Sequence, residues 1–333
     1  MTTGKKRRIM EARMLQLYVF RNNLKFFYAK YSLIIDSIIK FILVLASLML
    51  ININLGYQTG IKSPIWALAI ALVSAFFPYR ANVFFVAIFL ITHIFSASFE
   101  LALLIGIMFV LVLLLYYSFN HGDGSLILLV PLLFALKIPY VIPLIMGLAG
   151  SLLSIIPVSV GILIYFICLY ARQNIGTLTK TQSVDIAQRY SQTINGVFSN
   201  KTMLLLIIAF AFTVLVVYYI HRLSIDYSWQ IAIAVGAIVL LVIVFVGDYI
   251  LDISIPFFEF VLGLLASIFI SYIYNFFVFS VDYTRTEYTQ FEDDDYYYYV
   301  KAVPKITVTA ADKKVQSFTP KGRKKVKNNG GSE

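Results

Sequence analysis

The chain has 333 residues, of which 60% are hydrophobic and 13% are charged, and its mean hydropathy is +0.84. This composition excludes an ordinary soluble domain and predicts an integral membrane protein of the all-α class, a polytopic transmembrane helical bundle. The net charge of +10 is concentrated at the two ends, beside the membrane, which argues against nucleic-acid binding. We therefore expect a basic N-terminus over 1–31, a transmembrane domain over 32–279 and a polar tail over 282–333.

The N-terminus carries many more basic than acidic residues, since Glu11 is the single acidic residue before the first span. By the positive-inside rule this imbalance predicts a cytoplasmic N-terminus and a multi-pass protein of the cell membrane. Apolar residues such as Leu17, Phe20 and Phe27 lie among the cations, which predicts an amphipathic helix on an anionic leaflet of the lipid bilayer. The cations are Lys5, Lys6, Arg7, Arg8, Arg13, Arg21, Lys25 and Lys30.

The hydrophobic runs that follow are long enough for nine spans, or for ten short ones. In the first run, Asp36 and Lys40 are four residues apart, so we expect them to share a helix face and to pair. We interpret this pair as stabilising the span, with an ion pathway as the alternative. The runs cover residues 32–55, 65–78, 82–98, 101–119, 126–171, 203–220, 229–250 and 255–279.

The run 126–171 is almost wholly apolar and holds Pro131, Pro139, Pro143 and Pro157. Because proline removes a backbone donor and clashes with the preceding turn, we predict two or three broken helices within the bundle. Interrupted hydrophobic segments point to a transporter's binding region, so Lys137 and Pro139 are candidate transport-path residues. The alternative for Lys137 is a lysine at a hairpin tip that snorkels to the surface.

Two parts of the apolar region share a local pattern. The dipeptide Pro-Tyr occurs at 78–79 and at 139–140, in each case at the tip of a short hydrophobic hairpin that is followed by another hydrophobic segment. The regions 65–119 and 126–171 are therefore candidates for an inverted repeat. Three crossings in the second region give a cytoplasmic C-terminal tail, which we expect, and two crossings give an external tail.

The polar loop 172–201 has more basic than acidic residues, so its charges alone favour a cytoplasmic location. The loop also contains the apolar residues Val184, Ile186, Tyr190, Ile194 and Val197 among polar residues. Their spacing predicts an amphipathic surface helix.

Carboxylates flank the last helical hairpin. Asp248 and Asp252 share a helix face, and Glu259 follows Pro256 at the start of the next span. The three could together interact with a cation or a proton, so we treat them as candidate ion-interacting residues. Ordinary carboxylates at a water boundary are the alternative.

No catalytic, cofactor-binding or metal site is predicted, and we expect no enzyme activity. Cys168 is the single cysteine, and the three histidines lack metal-ligand spacing. The chain has no phosphate-binding Gly-x-x-x-x-Gly-Lys-Ser/Thr loop, no Gly-x-Ser-x-Gly elbow and no His-Glu-x-x-His helix. If ATP drives this protein, another chain supplies the ATPase.

The tail contains the most distinctive local sequence of the chain, where four carboxylates abut four tyrosines. The acidic run disfavours a compact fold, whereas the tyrosines favour the addition of an extended strand to a partner. A disordered tether is the alternative, and the spacing lacks the glycine turn of a calcium loop. The candidate partner-docking residues are Glu292, Asp293, Asp294, Asp295, Tyr296, Tyr297, Tyr298 and Tyr299.

The stretch from Phe291 to Lys305, together with the basic N-terminus and the string of spans, resembles an uncharacterised family of polytopic membrane proteins from clostridial-type Gram-positive bacteria. Members of that family are sometimes labelled ABC transporter permeases by automated naming. The resemblance implies a possible ATPase partner or another membrane-complex subunit, and it implies no particular substrate.

Two functions are compatible with these patterns. The favoured one is a permease-like transport component whose broken helices in 126–171 line a path. The alternative is a non-transporting membrane scaffold or anchor that recruits partners through its tails.

Overall fold

The computed structural model describes residues 2–119, 123–178, 186–279, 287–292 and 295–303. The predicted docking residues Asp293 and Asp294 lie outside these ranges. The chain divides into two compact units. One unit comprises Met1–Lys25 with Val281–Glu333, and the other comprises Phe26–Ser280. The second unit contains all the candidate transport-path residues.

The described part of the chain folds into α-helices and one pair of β-strands. The helices are α1 (Thr2–Asn54), α2 (Pro64–Ser74), α3 (Tyr79–Phe95), α4 (Phe99–Phe119), α5 (Leu126–Ala135), α6 (Val141–Ala149), α7 (Ile155–Leu178), α8 (Ile186–Phe198), α9 (Lys201–Ile220), α10 (Ser228–Leu251) and α11 (Phe257–Val278). The strands are β1 (Glu287–Glu292) and β2 (Tyr297–Ala302).

Five helices are long and apolar enough to cross a membrane, judged by length and composition over the described residues. They belong to α1, α7, α9, α10 and α11. The predicted architecture of a helical, multi-pass membrane protein is therefore confirmed, whereas the count of nine or ten spans stays a prediction. Shorter apolar helices cover Pro64–Ser74, Ala81–Phe95, Phe99–Val110 and Leu126–Ala135.

Asp36 and Lys40 have other partners than those predicted. The backbone of α1 leaves helical geometry at Tyr31 (φ −117°, ψ 23°), and across this kink the Tyr28 hydroxyl donates to Asp36 Oδ1 at 2.8 Å. Lys40 Nζ lies 5.1 Å from the ring centroid of Tyr79, at the start of α3. The predicted pair of Asp36 with Lys40 is therefore wrong, because tyrosines from an earlier turn and from another helix contact the two charges instead.

The run 126–171 is divided into α5, α6 and α7, which confirms the prediction of broken helices. At about 15 Å or less, α5 and α6 each cover only half of the hydrocarbon core, which is about 30 Å thick. Pro143 and Pro157 occupy the first turns of α6 and α7, where an amide has no intrahelical acceptor. Pro131 lies inside α5, so the Ile127 carbonyl loses its helical donor.

Glycines allow the helices of this region to pack closely. A Cβ atom on Gly161 of α7 would lie 2.5 Å from Val130 Cβ on α5. A Cβ atom on Gly147 of α6 would lie 2.5 Å from Val217 Cβ on α9. The helix axes can approach this closely only because side chains are absent at these two positions.

The helix predicted in the loop 172–201 is confirmed as α8. Its buried residues Thr193 and Val197 are four positions apart, whereas most of its other described side chains are exposed. Among the predicted apolar positions, Val197 is buried, Ile194 is exposed and Val184 lies outside the described residues. Gly196 of α8 lies against the Tyr170 ring of α7.

Two strands add a small sheet to the predicted helical architecture. β1 pairs antiparallel with β2, with Glu287 opposite Ala302 and Glu292 opposite Tyr297. The Phe291 and Tyr298 rings stack across the strands with their centroids 4.8 Å apart. The tyrosine segment is thus extended, as expected, but it pairs with an earlier part of the same tail.

Substitution of Gly161 tests the packing of α5 against α7. We expect Gly161→Ala to lower the free energy of unfolding by about 1–3 kcal/mol, because the new methyl group overpacks against Val130. The measurement is the midpoint of thermal unfolding in detergent. Gly106→Ala is the matched control, since nothing lies within 4 Å of a Cβ atom there, and helix propensity favours alanine. A loss of stability in the control equal to that of Gly161→Ala would contradict the packing argument.

Candidate functional site

A cavity of about 480 Å³ lies beside the turn between α5 and α6, within the unit Phe26–Ser280. Ligand pockets commonly measure about 300–1,000 Å³ and combine apolar walls with a few polar groups. The predicted path residues Lys137, Pro139 and Glu259 all line this cavity, together with Pro131 and Pro256. The structure therefore brings Lys137 and Pro139 together with Glu259, which was a candidate from a different part of the sequence.

The turn at the end of α5 places Lys137 in the left-handed region, with φ of 62°. The Lys137 amide donates to Phe134 O at 3.1 Å, and the Ile138 amide donates to Leu133 O at 3.0 Å. These two bonds form a Schellman motif, in which the left-handed position is usually glycine. A lysine at this position is strained, and strain of this kind is concentrated at functional sites.

The turn packs closely against the first part of α11. A Cβ atom on Gly263 would lie 2.7 Å from the Lys137 carbonyl oxygen and 3.0 Å from the Tyr140 ring. The Tyr140 ring also contacts the Phe260 ring edge-to-face, with a centroid distance of 4.9 Å. The absence of a side chain at Gly263 thus lets the turn lie directly on α11.

An ion pair joins the turn to α11 at the cavity. Lys137 Nζ contacts Glu259 Oε1, and the two side chains are 72% and 43% exposed. Glu259 is in the first turn of α11, where the helix dipole favours a negative charge. Both side chains are accessible and line the cavity, so the pair lies at its mouth.

A second polar contact crosses the cavity wall between α7 and α1. Arg172 Nη1 donates to Asn54 Oδ1 at 2.7 Å, and both residues line the cavity. Sequence reasoning did not select either residue for the site. Arg172 is recognisable in the sequence as the first charged residue after the long apolar run. No sequence pattern, however, links it to Asn54, which lies 118 positions earlier.

The remaining walls are mainly aromatic and aliphatic. Phe134 stacks on Tyr165 with a centroid distance of 4.6 Å, and both line the cavity with Leu132, Ile164 and Leu169. Cys168 also lines it. These walls offer dispersion contacts and few hydrogen-bonding groups, so they suit an apolar part of a ligand.

The remaining candidate residues from the sequence, where the structure describes them, are not among the cavity-lining residues. Asp248 Oδ1 accepts a hydrogen bond from the Ile255 amide at 2.7 Å, and Asp252 caps α10 with φ of 53°. Both residues shape the connection from α10 to α11 and are not among the cavity-lining residues. Glu292 and the described docking residues from Asp295 to Tyr299 belong to the other compact unit.

The described residues contain no group of three or more His, Cys, Asp or Glu side chains that could hold a metal ion. Comparisons with protein-family models, curated proteins and solved structures returned no match.

Variants of Lys137 separate the strain of the turn from the ion pair. Lys137→Ala removes the partner of Glu259 and keeps a side chain in the left-handed region, whereas Lys137→Gly removes the partner and relieves the strain. We expect the midpoint of thermal unfolding in detergent to be a few degrees lower for Lys137→Ala than for Lys137→Gly. Equal midpoints for Lys137→Ala and Lys137→Gly would show that the backbone at this position is not strained.

Exchange of the two charges tests the ion pair itself. Lys137→Glu places two carboxylates together, so we expect a lower midpoint of thermal unfolding than for Lys137→Ala. The double variant with Glu259→Lys restores opposite charges and should recover part of the loss. Independent, additive effects of the two single variants would show that the charges do not interact.

Proposed function

We propose that the protein is a permease-like transport component of the cell membrane, with the cavity beside the α5–α6 turn as part of its path. The observation that carries this proposal is a ligand-sized cavity at the tip of a proline-broken hairpin, with the accessible Lys137–Glu259 pair at its mouth. Broken helices beside a cavity are where transporters place their binding groups. The sequence has no ATP-binding loop, so an ATPase partner, if one is used, is another chain.

The contacts of the helical unit define two ends of the bundle. Asn54, Arg172 and Pro256 meet at the cavity, and we name this the Asn54 end. At the opposite end, the Trp229 ring stacks on Phe279 with a centroid distance of 4.3 Å, and His221 lies 4.9 Å from Trp229. We name this the Trp229 end.

The two short hairpins point in opposite directions, which supports an inverted repeat. The α5–α6 turn lies at the cavity, whereas Gly147 near the end of α6 contacts Val217, close to the Trp229 end. This hairpin therefore enters from the Trp229 end. The other hairpin is formed by α2 and α3. His93 Nδ1, near the end of α3, accepts a hydrogen bond from the Gln58 amide at 3.3 Å. Because Gln58 follows shortly after Asn54 in the chain, α3 finishes at the Asn54 end.

The tip of the α2–α3 hairpin is far from the Asn54 end. Tyr79, at the tip, contacts Lys40 of α1. At 1.5 Å per residue, Tyr79 lies about 21 Å along α3 from His93, and Lys40 lies about 21 Å along α1 from Asn54. Each hairpin is followed by an apolar helix, α4 or α7. We infer that α2–α4 and α5–α7 are inverted copies of one unit, as in many secondary transporters.

The same directions support a cytoplasmic location for both termini. Within the helical unit, the part of α1 from Phe26 finishes at the Asn54 end, and α11 starts there and finishes at Phe279 beside Trp229. The chain therefore enters and leaves this unit at the same end. The basic N-terminus favours the cytoplasm for that end. We therefore propose a cytoplasmic tail and an external cavity mouth, which makes the loop 172–201 external despite its basic charge.

Cysteine labelling tests whether the cavity is a water-accessible path. In a Cys168→Ser background, we expect Leu132→Cys on the cavity wall to react many times faster with a membrane-impermeant thiol reagent than Leu129→Cys. Leu129 is on the same helix and is not a lining residue. The measurement is the labelled fraction over time in right-side-out and inside-out vesicles.

A transport path gives Leu132→Cys access from both faces of the membrane, with faster labelling from the external face in the conformation described. Equal, slow labelling of Leu129→Cys and Leu132→Cys from both faces would count against a path. Labelling of Leu132→Cys from one face alone would indicate a binding pocket that does not form part of a transport path.

A second candidate function is a membrane scaffold, and the β-hairpin of the tail favours it. Tyr297 and Tyr299 are 69% and 76% exposed on one face. A two-stranded hairpin is marginally stable in water, and its edges can accept a further strand. A partner strand that pairs with the edge of β2 would place its own side chains next to these tyrosines.

Deletion of residues 282–333 tests the scaffold function. A scaffold should lose its bound partner when the chain is purified from membranes without this tail, and the helical unit should keep its thermal midpoint. The measurement is the partner-to-protein ratio after purification with reversible crosslinking. Retention of the same partner at the same ratio would place the docking surface outside the tail.

A further inference from the structure

The cavity combines an electropositive mouth with an apolar body. Lys137, Arg172 and Glu259 are the charged residues that line it, so the lining carries two cations and one carboxylate. The α6 N-terminus follows Tyr140, and the α11 N-terminus follows Pro256, and both residues also line the cavity. The positive ends of two helix dipoles therefore add to the positive charge.

We propose that the ligand of this cavity is an amphiphile with one anionic head group and a hydrocarbon body. This inference rests on the proposed function, because it assigns a ligand class to the same cavity. The anionic head binds between Arg172 and Lys137, and the hydrocarbon body lies against the walls formed by α5 and α7.

The head group has donors available at the mouth. The Arg172 guanidinium has five N–H donors, and the described contact with Asn54 uses one of them. A carboxylate or a phosphate matches the planar fork of arginine, which binds such groups with two parallel hydrogen bonds. The accessible Lys137 ammonium exchanges its contact with Glu259 for a contact with the ligand.

The body of the ligand must be apolar. A polar solute of this size would leave its hydroxyl or amide groups without partners against Leu132, Ile164 and Leu169, and burial of such groups is unfavourable. A hydrocarbon chain has no groups to satisfy and gains contact with the same walls. The apolar walls thus select for an amphiphile over a sugar.

Photo-crosslinking of the full chain in nanodiscs of neutral phosphatidylcholine tests the ligand class. The probes are palmitic acid with a mid-chain diazirine and the corresponding alcohol and amine, which differ only in the charge of the head. We expect the acid to label peptides from α5 and α7 at least about tenfold more than the alcohol, from its charge-assisted hydrogen bonds. A phosphatidic acid with the same diazirine chain distinguishes a membrane lipid from a free acid.

Variants define the contribution of the mouth. Arg172→Gln should reduce labelling by the acid about tenfold and leave labelling by the alcohol unchanged. The matched control is Arg222→Gln, because Arg222 packs over the Tyr218 ring at 4.0 Å and is not a lining residue. Leu132→Trp fills the body of the cavity and should reduce labelling by the acid, with an unchanged thermal midpoint as the check on folding.

Four results would overturn the inference. Equal labelling by acid and alcohol would show general partition into the bilayer, and preferential labelling by the amine would show that Glu259 sets the charge of the site. Equal losses in Arg172→Gln and Arg222→Gln would remove the mouth from the binding site. If Leu132→Cys is accessible from both faces while the acid fails to bind, the path stands and the ligand class is wrong.

Discussion

A helix that stops halfway across a bilayer must satisfy its terminal backbone groups inside the protein, and this requirement governs the region around α5 and α6. The last carbonyls of α5 accept bonds from the amides of Lys137 and Ile138, which fixes the left-handed turn. The turn packs against α11 at Gly263, where a side chain would clash with the Lys137 carbonyl oxygen. The cavity lies where the short hairpin ends beside the longer helices α1 and α7, so its shape follows from the same interruption.

The charged groups of the cavity occupy positions that the backbone defines. Lys137 is at the tip of the turn and Glu259 is in the first turn of α11, so packing of the turn against α11 is enough to bring the two charges together. Arg172 and Asn54 meet in the same way, near the ends of two long helices. Few charged residues are therefore enough to give the cavity its polar contacts, which fits the apolar composition of 126–171.

Local sequence signals predicted the elements better than they predicted contacts. The prolines were sufficient to predict the interruption of 126–171, and Lys137 and Glu259 were each candidates because charge is rare in spans. Their pairing was not predictable, since it depends on how α11 packs against a distant turn. The pair of Asp36 with Lys40 was wrong because helical spacing takes no account of the kink at Tyr31. The β-hairpin was also missed, because the acidic residues of β1 did not indicate a strand.

The glycines at 147 and 236 have a mechanical consequence. Val217 of α9 fills the space beside both of them, so α6, α9 and α10 interlock at one point and cannot slide past one another without a clash. This rigid group of helices stands behind the cavity, because no residue within α6, α9 or α10 is among the cavity-lining residues. The lining helices α1 and α7 are joined through Asn54 and Arg172. α7 leaves helical geometry at Asn174 (φ −110°, ψ 15°), two residues beyond Arg172, so the helix that carries this charged contact is kinked directly after it.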